Sequence, residues 1–309
     1  MTPNPAFDIL VAGEINPDLI LTGDVTPEFG QVEKLVDSAT LTIGSSSAIF
    51  ACGAARLGMK VAFIGECGGD LFGRFMLDEM SRQGVDVSNV ILRPDGQTGL
   101  SVILNQGSDR AILTHSGLIG ELHASDVPDR LLRRSRHLHV SSYFLQIKLK
   151  PDLAALFKRA SSLGLTTSLD TNYDPTEKWT DFDELLSVTD VFLPNSTEAI
   201  SLTRATDVDS AARQLAQHSR IVAIKLGPEG ALACRQNELV RSTSIPVQVI
   251  DTIGAGDSFD AGFMFGFLNH WSLARSLRLA CVCGALSTQK AGGTDGQPSL
   301  DEAMKHVPG

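Results

Sequence analysis

The chain has 309 residues, 43% of them hydrophobic and 20% charged, which supplies a substantial core and excludes disordered, collagen-like and coiled-coil classes. With 26 Lys+Arg against 36 Asp+Glu the formal charge is −10, so neither nucleic acid nor an anionic membrane is expected as a partner, and any phosphate must be held by a local site. No apolar run approaches the ~18 residues that span a bilayer, Met1 to Leu10 carries Asp8 and lacks a secretory pattern, and Cys52, Cys67, Cys234, Cys281 and Cys283 show no C-x-x-C spacing; a cytoplasmic protein with buried free thiols is expected.

In chain order, Phe7 to Ala12 reads as a buried first strand, and Lys60–Ile64, Leu165–Leu169, Asp190–Leu193 and Ile221–Leu226 repeat its character. Between them, Asp70 is placed to cap a helix with Phe72, Met76 and Met80 at i, i+4, i+8, and Gly84 to end it. Pro151 opens another, with Leu153, Leu156, Phe157 and Ala160 on one face and Gly164 at its end. That alternation predicts a mostly parallel sheet covered by helices. Residues 17–42 and 97–116 break the rhythm. Gly23, Pro27 and Gly30 punctuate the first, and a hairpin about Gln106–Gly107–Ser108–Asp109 is expected in the second. Both read as small β excursions from one α/β domain spanning 1–309, with plain surface loops as the alternative.

The segment Pro246 to Leu268 carries the most chemistry. A strand ending near Ile250 runs into Gly254–Ala255–Gly256–Asp257 and then into an apolar helix with Phe259, Phe263 and Phe267 at i, i+4, i+8. A turn of small residues at a helix start leaves backbone N–H groups unpaired, a socket for a phosphoryl oxyanion. Asp257 at its mouth suits either of two roles, a helix N-cap or a base that takes a proton from an attacking hydroxyl.

Other phosphate and metal patterns fail. Phe259 stands where GxGxxG needs its third glycine, and the chain has no Gly-Lys dipeptide for a Walker A loop. Asp170–Thr171–Asn172–Tyr173–Asp174 imitates the opening of a calcium loop, but Pro175 replaces its glycine and Asp181 its terminal Glu.

Taken together, these residues resemble the ribokinase-like (PfkB) carbohydrate kinases. Asp251 through Asp257, followed by Phe259, Ala261 and Gly262, is similar to the family's C-terminal signature. Gly13 to Asp18 is similar to its Gly-x-x-x-x-Asp start. Gly44 through Gly58 and on to Gly73 resembles its N-terminal signature, Asn195–Ser196–Thr197–Glu198 its Asn-x-x-Glu motif, and Lys225 to Ala231 its nucleotide-side glycine motif.

The resemblance implies a doubly wound α/β body with a small β lid, and transfer of the ATP γ-phosphoryl group to a hydroxyl of a sugar or polyol. It makes Asp257 the base and the amides of Gly254, Ala255 and Gly256 the anion hole. Asn16, Asp18, Gly44 and Ser45 would hold the acceptor. Asn195, Lys225, Gly227, Gly230 and Gly284 would serve the nucleotide, with Glu198 on Mg²⁺ through water. Asp251 and the carbonyl of Ile253, completed by Gly292–Gly293–Thr294, resemble a monovalent-cation site, with K⁺ the expected ion. A homodimer through the lid is expected from the same likeness. Plainer roles stay open beside these: a capping box for Asn195 and Glu198, a solvated strand end for Lys225, helix packing for Gly284. Departures bear on the acceptor. Ser45 replaces the second Gly of a Gly-Gly pair, Ile49 stands where Asn is usual, Cys281 replaces an adenine-side Asn, and Asp174 occupies the position of an Arg. The missing Arg argues against a sugar acid, leaving a neutral sugar or polyol. A nucleoside kinase of the same fold and a non-catalytic relative are the rival readings.

Overall fold

The computed structural model describes residues 5–106, 109–172, 174, 176–179 and 182–307. Gly107 and Ser108 at the expected hairpin tip, and Tyr173, Pro175 and Asp181 of the calcium-like stretch, lie outside them.

Nine strands form the main sheet, in spatial order Glu238–Ser242, Ala231–Arg235, Ile221–Lys225, Val191–Phe192, Thr166–Leu169, Ser135–Val140, Phe7–Ala12, Val61–Ile64 and Val85–Asp86. Pairing is parallel from Ile221–Lys225 to Val85–Asp86, and antiparallel only at the Ala231–Arg235 and Glu238–Ser242 edge. The strands are buried on both faces, which is why they read as short continuous apolar runs. Alternation divides the core. Ile9 and Val11 pack with helices Ser46–Arg56, Ala255–Leu268 and Leu273–Ser287, whereas Leu10 and Ala12 pack with helices Leu153–Ser162 and Val208–Leu215 on the other side. Helices on both faces make the body doubly wound, as expected.

The Asp70 helix runs from Leu71 to Arg82; Asp70 Oδ1 accepts the Gly73 N–H at 2.8 Å, Met76 and Met80 are buried, and Gly84 follows at φ 91°. The Pro151 helix starts at Leu153 after one 3₁₀ turn and buries the four predicted residues.

A separate four-stranded sheet takes the order Ser38–Ile43, Pro17–Thr22, Leu100–Gln106, Asp109–His115; each excursion supplies two strands, and 23–37 joins the first pair without a strand. The strand expected up to Ile250 does not form. Residues 243–250 join no ladder, Pro246 lacks a donor, and Ile250 and Asp251 give their N–H groups to Thr288 O, at 2.8 and 3.1 Å, at the end of a helix instead.

Two buried histidines went unremarked in the sequence. His137 and His139 point the same way as Ile9, and all four ring nitrogens meet hydroxyls of Thr166, Ser168 or Ser141 at 2.7 Å. Burial keeps both neutral, pushing His137 down to about 3. All five cysteines are buried and free.

Strand order reverses between Phe7–Ala12 and Ser135–Val140. Clefts in open α/β sheets form outside the carboxyl ends of strands at such a point. Glu14, Ser142, Asp170, Asn195 and Lys225 all lie at those ends.

Candidate active site

Gly254 caps helix Ala255–Leu268 at φ 72°, a conformation that favours glycine, and a Cβ there would stand 2.7 Å from Gly293 O and 2.9 Å from an Ile49 methyl. Gly254 therefore takes the cap position, and Asp257 lies in the first turn without capping it. The Ala255 N–H reaches Thr252 O at 3.3 Å, but the amides of Gly254, Gly256 and Asp257 have no partner among the described residues. Such orphan donors at a 14-residue helix start favour an anion. Asp257 is buried, and burial together with the neighbouring Asp170 carboxylate pushes it up to about 8 against the pull of Lys225.

Beside it, carboxylate oxygens of Asp170, Asp257 and Asp260 lie within 4.8 Å of one another. Lys225 closes the group: Nζ is 3.4 Å from Asp170 Oδ2 and 3.0 Å from Asp260 Oδ2. Burial opposes its charge, but Asp170, Asp260 and Glu198 outweigh that and hold the ammonium firmly protonated. Lys225 is thus no solvated strand end. Its ammonium also borders the anion socket, since a Cβ on Gly256 would sit 3.6 Å from Nζ. Sequence reasoning missed Asp170 and Asp260 because one sat in the rejected calcium-like stretch and the other inside an apolar helix.

Asn195 and Glu198 form the reciprocal cap of helix Ser196–Thr203: Asn195 Oδ1 accepts the Glu198 N–H at 2.9 Å and Glu198 Oε2 accepts the Asn195 N–H at 2.9 Å. The same carboxylate faces the cavity. Burial and Asp170 push Glu198 up to about 7.

On the acceptor side, Glu14 is the buried anchor that sequence reasoning passed over. Its carboxylate accepts from the hydroxyls of Ser45, Ser47 and Ser142 at 3.1, 2.7 and 2.9 Å and from Gln146 Nε2 at 2.7 Å. Ser45 is consumed there, because its Oγ also accepts the Ala48 N–H at 3.1 Å. Gly44 lies against Asp18, so that any Cβ would overlap the carboxylate. Asn16 donates to Ser101 Oγ at 3.4 Å, and burial pushes Asp18 up to about 7, with Arg110 acting against that and Asp251 adding to it.

Two cavities meet at the turn. A polar one of 740 Å³ contains Asn16, Asp18, Ser45, Asn195, Glu198 and Asp257 on its wall and is roofed by Ile103, Arg110 and Thr114 of the small sheet. An apolar one of 440 Å³ lies behind, between Val247, Val249, Phe259, Cys281, Gly284 and Ala285. Lys225, Gly227, Thr252 and Gly256 belong to both. Gly227 and Gly230 adopt φ of 59° and 100°, and Gly230 passes close to Ser242 O. Gly284 faces the apolar cleft and also packs against the preceding helix, where a Cβ would stand 3.0 Å from Ala255 O. Asp251 ties two segments together, accepting the N–H groups of Ile253 and Gly292, each at 3.0 Å. The Ile253 carbonyl accepts no hydrogen bond among the described residues.

The arrangement offers a shared wall between a polar and an apolar chamber, with unpaired amides and a buried carboxylate at the junction. The chain is similar to known proteins over nearly its whole length. A curated ATP-dependent ribose-1-phosphate kinase of Halopiger xanaduensis is 30% identical over 292 residues, covering 92% of this chain and 93% of its own. An E. coli protein solved in complex with ATP and Mg²⁺ superposes with a TM-score of 0.85 at 23% identity, covering 97% and 98% of the two chains. The adenosine kinase of Sinorhizobium meliloti superposes equally well, with a TM-score of 0.85, 25% identity and coverage of 97% and 99%. No helix among the described residues is long and apolar enough to cross a membrane. Residues 6–300 match the pfkB family carbohydrate kinase model, and the chain belongs to that family.

Proposed function

We propose that the protein transfers the γ-phosphoryl group of ATP to a hydroxyl of a sugar or related polyol, with Asp257 as general base. The observation that carries this reading is the junction itself: Gly256 borders both chambers, and Asp257, one residue on, faces only the polar one. The nucleobase and ribose fit the apolar cleft beside Gly227, Gly230 and Gly284, and the acceptor fits the polar cavity beside Asn16, Asp18, Gly44 and Ser45. The amides of Gly254, Gly256 and Asp257 then face the migrating phosphoryl oxygens, where orphan donors stabilise charge that grows in the transition state.

Asp257 removes the acceptor proton. Its elevated pKa, set by burial, matches that task near neutral pH. Lys225 bridges Asp170 and Asp260 and so fixes the helix carrying Asp257. The small sheet acts as a lid that excludes water from the transfer.

Mg²⁺ fits the donor set. Glu198 and Asp170 offer oxygen only, and Glu198 is pushed up to about 7 by burial and by Asp170, so a cation relieves a standing electrostatic cost. Those two, with water between Glu198 and the metal, would hold it, and when bound it supplies neutralisation of phosphate charge. Asp251 and the Ile253 carbonyl, which accepts no hydrogen bond among the described residues, would hold K⁺ through oxygen alone.

ADP release measured across sugars, polyols and nucleosides with Mg²⁺, with and without K⁺, tests the reading. Stimulation by a sugar or polyol supports it. Strong preference for nucleosides overturns the acceptor class, and no stimulation by any acceptor overturns the reaction. The lid strand Asp109–His115 is exposed along its whole length and, among the described residues, unpaired on one edge; pairing with a second copy there predicts a dimer, and a monomeric mass at micromolar concentration would refute it.

A further inference from the structure

We infer that the acceptor carries an acid group, a carboxylate or a phosphate, and that Arg110 on the lid is the residue that reads it. The inference rests on the kinase reading above and narrows its substrate.

Register places the side chain. Asp109–His115 pairs antiparallel with Leu100–Gln106, matching Arg110 to Asn105, Ile112 to Ile103 and Thr114 to Ser101. Side chains alternate along a strand, so Arg110, Ile112 and Thr114 share one face, and all three line the polar cavity. The opposite face carries Asp109, Ala111, Leu113 and His115. A solvated edge strand normally turns its charge outward. Here Asp109 turns outward as that rule expects, whereas Arg110 turns to the cavity.

The guanidinium is also uncommitted. Among the described residues no carboxylate forms an ion pair with Arg110 and no side-chain hydrogen bond engages it. The other cation on the cavity wall, Lys225, is spent on Asp170 and Asp260. Position separates the two cations by function. Lys225 borders the phosphate turn, whereas Arg110 acts on Asp18, at the end where the acceptor hydroxyls are held.

Charge then decides the substrate class. Glu14, Asp18, Asp170, Glu198 and Asp257 all face this cavity. A neutral acceptor needs only hydroxyl partners, which Asn16, Ser101 and Asp18 supply. An acidic acceptor would be repelled unless a cation met it, and a planar fork of N–H donors matches a carboxylate or phosphate in two parallel bonds. The arginine missing at Asp174 is no objection. That carboxylate is tied into its own turn by the amides of Thr176, Lys178 and Trp179 at 2.8, 3.0 and 2.9 Å, and the cation comes from the lid side instead.

The test compares matched acceptors, gluconate and 2-dehydro-3-deoxygluconate against glucose and ribose 1-phosphate against ribose, on the native enzyme and on Arg110→Gln and Arg110→Lys. The carboxylate and phosphate pairs separate the two sources of negative charge. Native enzyme should favour one acidic member over its neutral partner. Arg110→Gln should raise its KM by about 10–100-fold, the scale of losing a charge-assisted contact, with the KM for MgATP little changed; Arg110→Lys should fall between. Preference for neutral acceptors unaffected by Arg110→Gln would overturn the inference. So would a raised KM for MgATP alone, which would assign the guanidinium to the nucleotide. Calorimetric binding of gluconate and ribose 1-phosphate gives a readout independent of turnover: tighter binding to native protein than to Arg110→Gln supports the role of Arg110 even if no acceptor releases ADP, and equal affinities overturn it. Since Arg110 is exposed at a sheet edge, unchanged circular dichroism is expected for both variants.

Discussion

Replacing Lys225 by Met removes the one ammonium from a cluster of buried acids and leaves its volume nearly unchanged. Nζ lies 3.0 Å from Asp260 Oδ2 and 3.4 Å from Asp170 Oδ2, and the two carboxylate side chains are 1% and 2% exposed. Removing one partner of a buried pair costs about 3–5 kcal/mol, because the remaining charge is stranded. Here two carboxylates lose the same partner, so a loss in the upper half of that range is expected near pH 8. The sign of the pH dependence follows from linkage. In the native protein Asp257 and Glu198 are already pushed up to about 8 and about 7, above their ordinary values of 3.8 and 4.5, so the folded state binds more protons than the unfolded chain between those limits. Stability therefore falls as pH rises through that window, and it should fall more steeply in Lys225→Met, where nothing offsets the mutual repulsion. Urea unfolding followed by the fluorescence of Trp179 and Trp271 at low and high ends of the window measures both effects. The loss should shrink by roughly half or more towards pH 5 as the acids protonate. Adding Asp260→Asn should restore part of the stability, since it removes one of the two acids that lost their cation and whose charged form burial disfavours. A loss below about 1 kcal/mol with no pH dependence would refute the reasoning and release Lys225 for a purely nucleotide-side role.

Gly44→Ala should raise the acceptor KM roughly tenfold or more while leaving the KM for MgATP alone, because a Cβ there overlaps the Asp18 carboxylate and overpacking costs about 1–3 kcal/mol; equal effects on both substrates would mean a general distortion. The acceptor kcat/KM should rise with pH through a midpoint near about 8, since burial raises Asp257 and only its ionised form takes a proton. Raising Mg²⁺ should move that limb to lower pH, and a pH-independent rate from 5.5 to 8.5 would contradict the assignment of the base.

Local chemistry made much of this legible in the sequence. The Gly254–Gly256 turn, the Asp70 cap and the Asn195–Glu198 box are short-range patterns whose partners lie within three or four residues, so spacing alone predicts them. The doubly wound body follows from continuous apolar strands separated by amphipathic helices. What escaped were contacts across the chain. Glu14 gathers hydroxyls from Ser45 and Ser142, and Lys225 joins Asp170 to Asp260; these partners are separated by 31 to 128 residues. Arg110 escaped for a different reason. Its meaning depends on which face of a hairpin it takes, and that is fixed by register with Asn105 rather than by any motif. The strand expected before Ile250 shows the converse: an alternating apolar run gives the Ile250 N–H to a helix end and lines a cleft with Val247 and Val249, without joining a sheet.

The central claim is that Asp257 strips the acceptor proton while the adjacent turn holds the phosphoryl group. Turnover of Asp257→Asn with an accepted sugar, beside calorimetric binding of MgATP, tests it most directly. The account predicts a fall in kcat of roughly 10²–10⁴, the range for losing a general base, with nucleotide affinity within a few-fold of native. Unchanged turnover would contradict it, as would a loss confined to nucleotide binding.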